Sequence, residues 1–235
     1  MKRYSKYIIY TLLLLVGIGC DDGRIYPEEE VETGRSAVVT VSFKNLKAWP
    51  KENMISLCSF GEDRTQPLQT QRISKPTSEN KVFHLTLNNV TPETRSVEIA
   101  VISRGLRLIY SYYATEVSSA SDKIELSIDK IDLASFKRIQ AQVFDKACLS
   151  CHGESTSLAG QLDLRPKVSY KSLVNVQAPM SKEGKNYVTP KSINNSYLLD
   201  ILEDNPIHSD MFNSAGKQEI IALIQAWILG GALDN

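Results

Sequence analysis

The chain has no excess of charge of either sign. Lysine plus arginine and aspartate plus glutamate number 27 each in 235 residues, so nothing in the balance draws a polyanion, and nucleic acid is excluded as a partner. Cysteine is also scarce, with four. Cys20 ends the amino-terminal apolar stretch, Cys148 and Cys151 share one motif, and only Cys58 is left, so there is no disulfide framework. Cys58, in "MISLCSF", reads as a buried free thiol. There is no internal repeat and no long low-complexity segment. What remains is an ordinary globular composition, 42% hydrophobic and 23% charged, long enough for two modest cores.

The amino terminus, "MKRYSKYIIYTLLLLVGIGC", opens with Lys2, Arg3 and Lys6 and runs apolar from Tyr7 to Ile18. That run is short for a bilayer span and has the layout of a secretory signal, expected over residues 1–19. Its end, "GIGC", resembles the lipobox of bacterial lipoproteins, which implies cleavage before Cys20 and a lipid anchor on that cysteine. A plain signal peptide with an incidental cysteine is the alternative. Residues 20–34 then read as an acidic tether, with six acids against one base in "DDGRIYPEEEVETG" and no apolar period. An acidic stretch after a lipidated cysteine resembles the surface-export signals of Bacteroidetes lipoproteins, which implies an outer-membrane lipoprotein on the periplasmic side or the cell surface.

From residue 35 to 131 the apolar period is two. "AVVTVSF", "VFHLTL" and "KIELSI" alternate cleanly, "ISLCSF", "SVEIAVIS" and "LRLIYSYY" add three more strands, and turn-rich pieces separate them. The expectation is an antiparallel β-sandwich of immunoglobulin-like type. His84 falls in the outward-facing set of its strand and reads as a surface residue. Tyr110, Tyr112 and Tyr113 are either ordinary strand residues or a platform for a glycan or protein ligand.

At Asp132 the period changes. Phe136, Ile139, Val143 and Phe144 recur at three and four, with Ser135 as a candidate cap, and this helix runs into "CLSCHGE", residues 148–154. Near the end, Ile220, Ile221, Ile224, Trp227 and Ile228 repeat the helical period before Gly230 and Gly231.

Two cysteines one helical turn apart, with a histidine directly behind the second, suit covalent haem attachment: the thiols bond the macrocycle and the imidazole reaches its iron from the same side. Zinc would need a second half-site from Cys58, His84, His208 or carboxylates, none of them a second close pair. A redox dithiol would expect a βαβ setting, which is not present.

Residues 132–235 resemble the small class I c-type cytochrome domains of planctomycetes and Bacteroidetes, through "CLSCHG", "GQLDL" from Gly160, "TPKSINNSYLL" from Thr189, Met211 and "AWILGGA" from Ala226. The resemblance implies an all-α cytochrome c fold in which the first and last helices cross and Trp227 is core. It implies thioethers at Cys148 and Cys151, His152 as proximal ligand and Met211 as sixth ligand. Phe212 stands where the family has proline; His208, three residues before Met211, is the alternative ligand, and Met180 is a more distant one. Arg165 and Lys167 are candidates for the haem propionates.

The expected protein is a lipid-anchored carrier of single electrons between redox partners in the cell envelope, holding one haem c and catalysing no reaction. A haem enzyme such as a peroxidase is the alternative if the sixth position is open. A binding lipoprotein that grips glycan or protein through its strands, with the haem region accessory, is another.

Overall fold

The computed structural model describes residues 34–118, 123–153, 158–212 and 214–235. The signal segment, Cys20 and nearly all of the acidic tether lie outside the described residues.

The alternating segments form strands: β1 (Ser36–Val41), β3 (Met54–Phe60), β5 (Phe83–Leu87), β6 (Ser96–Ile102), β7 (Leu108–Glu116) and β8 (Lys123–Ser127). Three further strands, β2 (Phe43–Lys44), β4 (Gln69–Ile73) and β9 (Ile131–Asp132), complete the set. They assemble as a three-stranded sheet in the order β5, β1, β8, a pair β2 and β9, and a four-stranded sheet in the order β4, β3, β6, β7. β1 is antiparallel to β5 but parallel to β8, and β2 is parallel to β9. The chain therefore runs twice in the same direction along one line, and the second passage delivers Asp132 beside Lys44.

The inner face of the four-stranded sheet carries Ile55, Leu57, Val97, Ile99 and Val101, all fully buried. Its other face carries Cys58, Phe60, Ala100 and Ile102. There Arg64 donates two hydrogen bonds of 2.8 Å to the buried Glu98 carboxylate, which also accepts from the Ser96 hydroxyl at 2.7 Å. A buried carboxylate is tolerated because its oxygens are satisfied in this way.

The helical region opens with α1 (Phe136–Ile139), continues as a π-helical stretch (Gln140–Cys148) and ends as α2 (Leu149–His152). Ser135 caps it, its hydroxyl accepting from the Arg138 N–H at 3.3 Å. Short helices α3 (Ser169–Leu173), α4 (Tyr197–Asp204) and α5 (Pro206–Ser209) follow, then the longest, α6 (Ser214–Leu229). α6 ends as a Schellman motif: the Gly231 N–H bonds to Ile228 O at 3.0 Å and the Ala232 N–H to Trp227 O at 2.9 Å. Gly231 sits at φ 103°, a conformation that favours glycine. The first and last helices meet through Phe136 and Trp227, whose ring centroids are 5.3 Å apart. Trp227 is buried, and its Nε1–H donates to Leu233 O at 2.9 Å.

The expectation of an antiparallel immunoglobulin-like sandwich followed by an all-α cytochrome c fold is overturned. The sheets are small and two of their pairings are parallel. The helical region is not all-α, because isolated β-bridges join Val174 to Val188, Gln177 to Asn186 and Asn186 to Ser196. Residues 34–235 are one compact mixed α/β unit, with a core continuous from Ala37 through Leu133 and Phe144 to Ala232. The reason is physical: the helices bury their apolar faces partly against strands, not only against one another.

Two polar groups join strands to helices. Arg138, fully buried, donates to Ala48 O at 2.8 Å, Leu133 O at 2.9 Å and Gln142 Oε1 at 2.6 Å, lies 3.6 Å from the Glu219 carboxylate, and sits 5.7 Å from the Tyr112 ring centroid. Asp132 accepts from Asn45 Nδ2 at 2.7 Å, the Ala134 N–H at 2.9 Å, Asn235 Nδ2 at 3.0 Å and Lys44 Nζ at 3.1 Å. Burial works to raise the Asp132 carboxyl, but the donors from Asn45, Ala134 and Lys44 outweigh it and hold the group below the usual carboxylate range. A depressed carboxyl contributes stability that is complete above its unfolded value, about 3.9, and is lost as pH falls through the folded one. The urea midpoint of Asp132→Asn should therefore fall less steeply with acidification below about pH 4 than that of the wild type. Equal slopes would refute the assignment.

Candidate functional site

The π-helical winding shapes one wall of a cavity. There a backbone N–H reaches the carbonyl five residues back, as when Leu149 N–H bonds to Phe144 O. Val143, Phe144, Ala147, Cys148, Cys151 and His152 all line the cavity. These pairs recur every four residues, a longer period than the 3.6 of an α-helix. The three pairs face the cavity together, with both thiols and the imidazole at the end of the helix.

Past Gly153 the chain folds back onto this helix. A side chain at Gly153 would put its first carbon 2.6 Å from Leu149 O, so the turn depends on glycine. Leu164 N–H then bonds to His152 O at 2.8 Å, and Gln140 Nε2 donates to Leu164 O at 2.9 Å. The Tyr187 hydroxyl donates to Gly160 O. Together these hold "GQLDL" against the motif and bring Leu162 O within 3.2 Å of His152 Nδ1. A carbonyl can only accept, so Nδ1 is the donor, and in the neutral ring the lone pair then lies on Nε2.

The facing wall comes from α4 and α5, through Leu198, Ile201, Leu202, Asn205, Ile207 and His208, with Met211 just beyond. The cavity, about 350 Å³, opens to solvent past Ile207, Met180 and Met211, all exposed. The His152 and His208 rings lie 6.2 Å apart between centroids, with their planes at 35°. Burial, then the neighbouring His152, push the His208 imidazole below its ordinary value, which favours the neutral form. Burial, then Cys151, push the Cys148 thiol up to about 11, whereas Cys151 is exposed.

These residues fit a covalently held haem. An apolar cavity suits the faces of a macrocycle, two thiols sit one turn apart on its wall, and an imidazole with Nδ1 tied to backbone presents Nε2 for iron.

The other candidates are placed elsewhere. Cys58 is buried in β3, 3.7 Å from Thr70 Oγ1, and burial above all pushes its thiol up to about 12, leaving it inert. His84 is exposed on β5, its Nδ1 3.1 Å from Thr40 Oγ1. Neither joins the cavity as the second half of a zinc site, and among the described residues no three of His, Cys, Asp and Glu converge to hold a metal ion by themselves. Arg165 pairs with Asp163 at 2.6 Å, and neither it nor Lys167 lines the cavity. Tyr110, Tyr112 and Tyr113 pack against the main core. A β-bulge lets both Tyr110 and Tyr113 stand opposite core residues, Val101 and Ile99, which gives the tyrosines a packing role.

Sequence reasoning did not single out Tyr187, Tyr197 or Asn205. Tyr197 lies inside "SYLL", which belonged to the resemblance, but nothing in its spacing signals that its hydroxyl donates to Met180 O at 3.0 Å. No protein-family model, curated protein or solved structure matches the chain.

Proposed function

We propose that this chain is a c-type cytochrome of the bacterial cell envelope, holding one haem c through Cys148 and Cys151 with His152 on the iron, and passing single electrons between redox proteins. The observation that carries the reading is that both cysteines and His152 line one apolar cavity, with His152 Nδ1 occupied by Leu162 O. Bound haem supplies a one-electron couple between ferric and ferrous iron.

The chain's own residues do the rest. The Leu162 carbonyl fixes the orientation of His152 and raises the basicity of its Nε2. Val143, Phe144, Leu162, Leu164, Leu198 and Leu202 exclude water from the interior of the site, which tunes the potential. Ile207, 78% exposed, and Met180, 69% exposed, give the cavity mouth an apolar rim over which a redox partner can approach. Attachment to the outer membrane is assigned to a lipid on Cys20, facing the periplasm or the cell surface. No helix among the described residues is long and apolar enough to cross a membrane.

The test is a pyridine haemochrome spectrum of the full chain, produced with a haem-attachment system and denatured before measurement. The expected result is a c-type spectrum with one haem per chain. A chain carrying no covalent haem would falsify the reading.

A further inference from the structure

The second axial position separates two kinds of cytochrome, because a thioether and an imidazole give the iron different potentials. Met211 is the ligand implied by the resemblance, and it lies on the cavity wall, 42% exposed. His208 lies on the same wall in a more defined setting.

Asn205 caps α5, its side-chain oxygen accepting from the Ile207 N–H at 3.0 Å. Because that atom accepts from a backbone donor it must be the amide oxygen, not the nitrogen. The same oxygen lies 3.3 Å from His208 Nδ1, so Nδ1 carries the proton and Nε2 is left with its lone pair. His152 is arranged in the same way by Leu162 O. Each ring is thus held through Nδ1 by a fixed oxygen and has Nε2 available for a metal.

The spacing agrees. An imidazole nitrogen binds a first-row metal ion at about 2.0–2.1 Å and lies about 1.1 Å from its ring centroid, so two imidazoles on opposite sides of one ion have centroids about 6 Å apart. The observed separation is 6.2 Å. Pro206 at the first turn of α5 and the Asn205 cap fix the backbone that carries His208.

We infer that His208, and not Met211, is the second axial ligand, so that the iron of this chain sits between two imidazoles. The inference rests on the proposed haem attachment and narrows it to a low-potential carrier with no open coordination position.

The test uses the full haem-loaded chain and its His208→Gly and Met211→Ala variants, each first assayed by pyridine haemochrome for covalent haem. The ferric wild type should be low-spin and lack the sulfur-to-iron charge-transfer band that methionine ligation gives. Met211→Ala should leave both properties unchanged. His208→Gly should lose the low-spin ferric spectrum, and added imidazole should restore it, which a folding defect would not allow. A sulfur-to-iron band in the wild type that disappears in Met211→Ala, or an unaltered spectrum in His208→Gly, would overturn the assignment while leaving haem attachment intact. A wild type without covalent haem would overturn both.

Discussion

Replacing Arg138 with alanine should destabilise the whole of residues 34–235 by about 3–5 kcal/mol, from two buried carbonyls left without a donor at about 1–3 kcal/mol each and from the lost packing of a buried side chain. The guanidinium is fully buried, and its hydrogen bonds tie Ala48, at the end of the strands' first passage, to Leu133 and to Gln142 on the motif helix. Without it the carbonyls of Ala48 and Leu133 lose a donor where water does not reach, and the Tyr112 ring loses the cation packed near it. Glu219 keeps part of its bonding, since the Lys51 N–H donates to it at 3.1 Å, so the loss falls mainly on the carbonyls and the vacated volume. Arg138→Lys should recover only a fraction, because an ammonium cannot present the planar fork that serves three acceptors in different directions. Urea unfolding monitored both by tryptophan fluorescence and by far-UV circular dichroism checks this. A midpoint unchanged in Arg138→Ala, or two probes that separate already in the wild type, would contradict the single continuous core.

The second large effect is on haem retention. The double variant Cys148→Ser, Cys151→Ser should fold but release all of its haem into acidified organic solvent, where the wild type should release none. Serine matches cysteine closely in size, and the folded core loses little: Cys148 is only partly buried and Cys151 is exposed. What disappears is the bond-forming sulfur on each side of one helical turn. The single variants should each keep haem through one thioether and show a shifted haemochrome band. If the double variant retained haem through extraction, the cysteines would not be the attachment points.

Much of the local structure was legible from periodicity. Alternation at Val39, Val41, Leu85 and Leu126 marks strands, the three-four spacing of Phe136, Ile139 and Val143 marks a helix, and Ser135 and Gly231 mark ends, because each signal depends on neighbours within one or two turns. β4 escaped notice: "QTQRI" is an edge strand with mostly polar side chains, paired only with β3, and an edge strand with little to bury leaves little pattern.

The sequence by itself determined the segments, the cap, the helix stop and the order of cysteines and histidine in "CLSCHG", all of them properties of residues near one another in the chain. Only the tertiary structure decided that β1 and β2 lie parallel to β8 and β9, that strands and helices share one core, and that the motif helix winds as π. It alone brought His208 to within 6.2 Å of His152. An apolar period states which face of an element is buried but not what buries it, and that partner is chosen by packing among segments far apart in sequence.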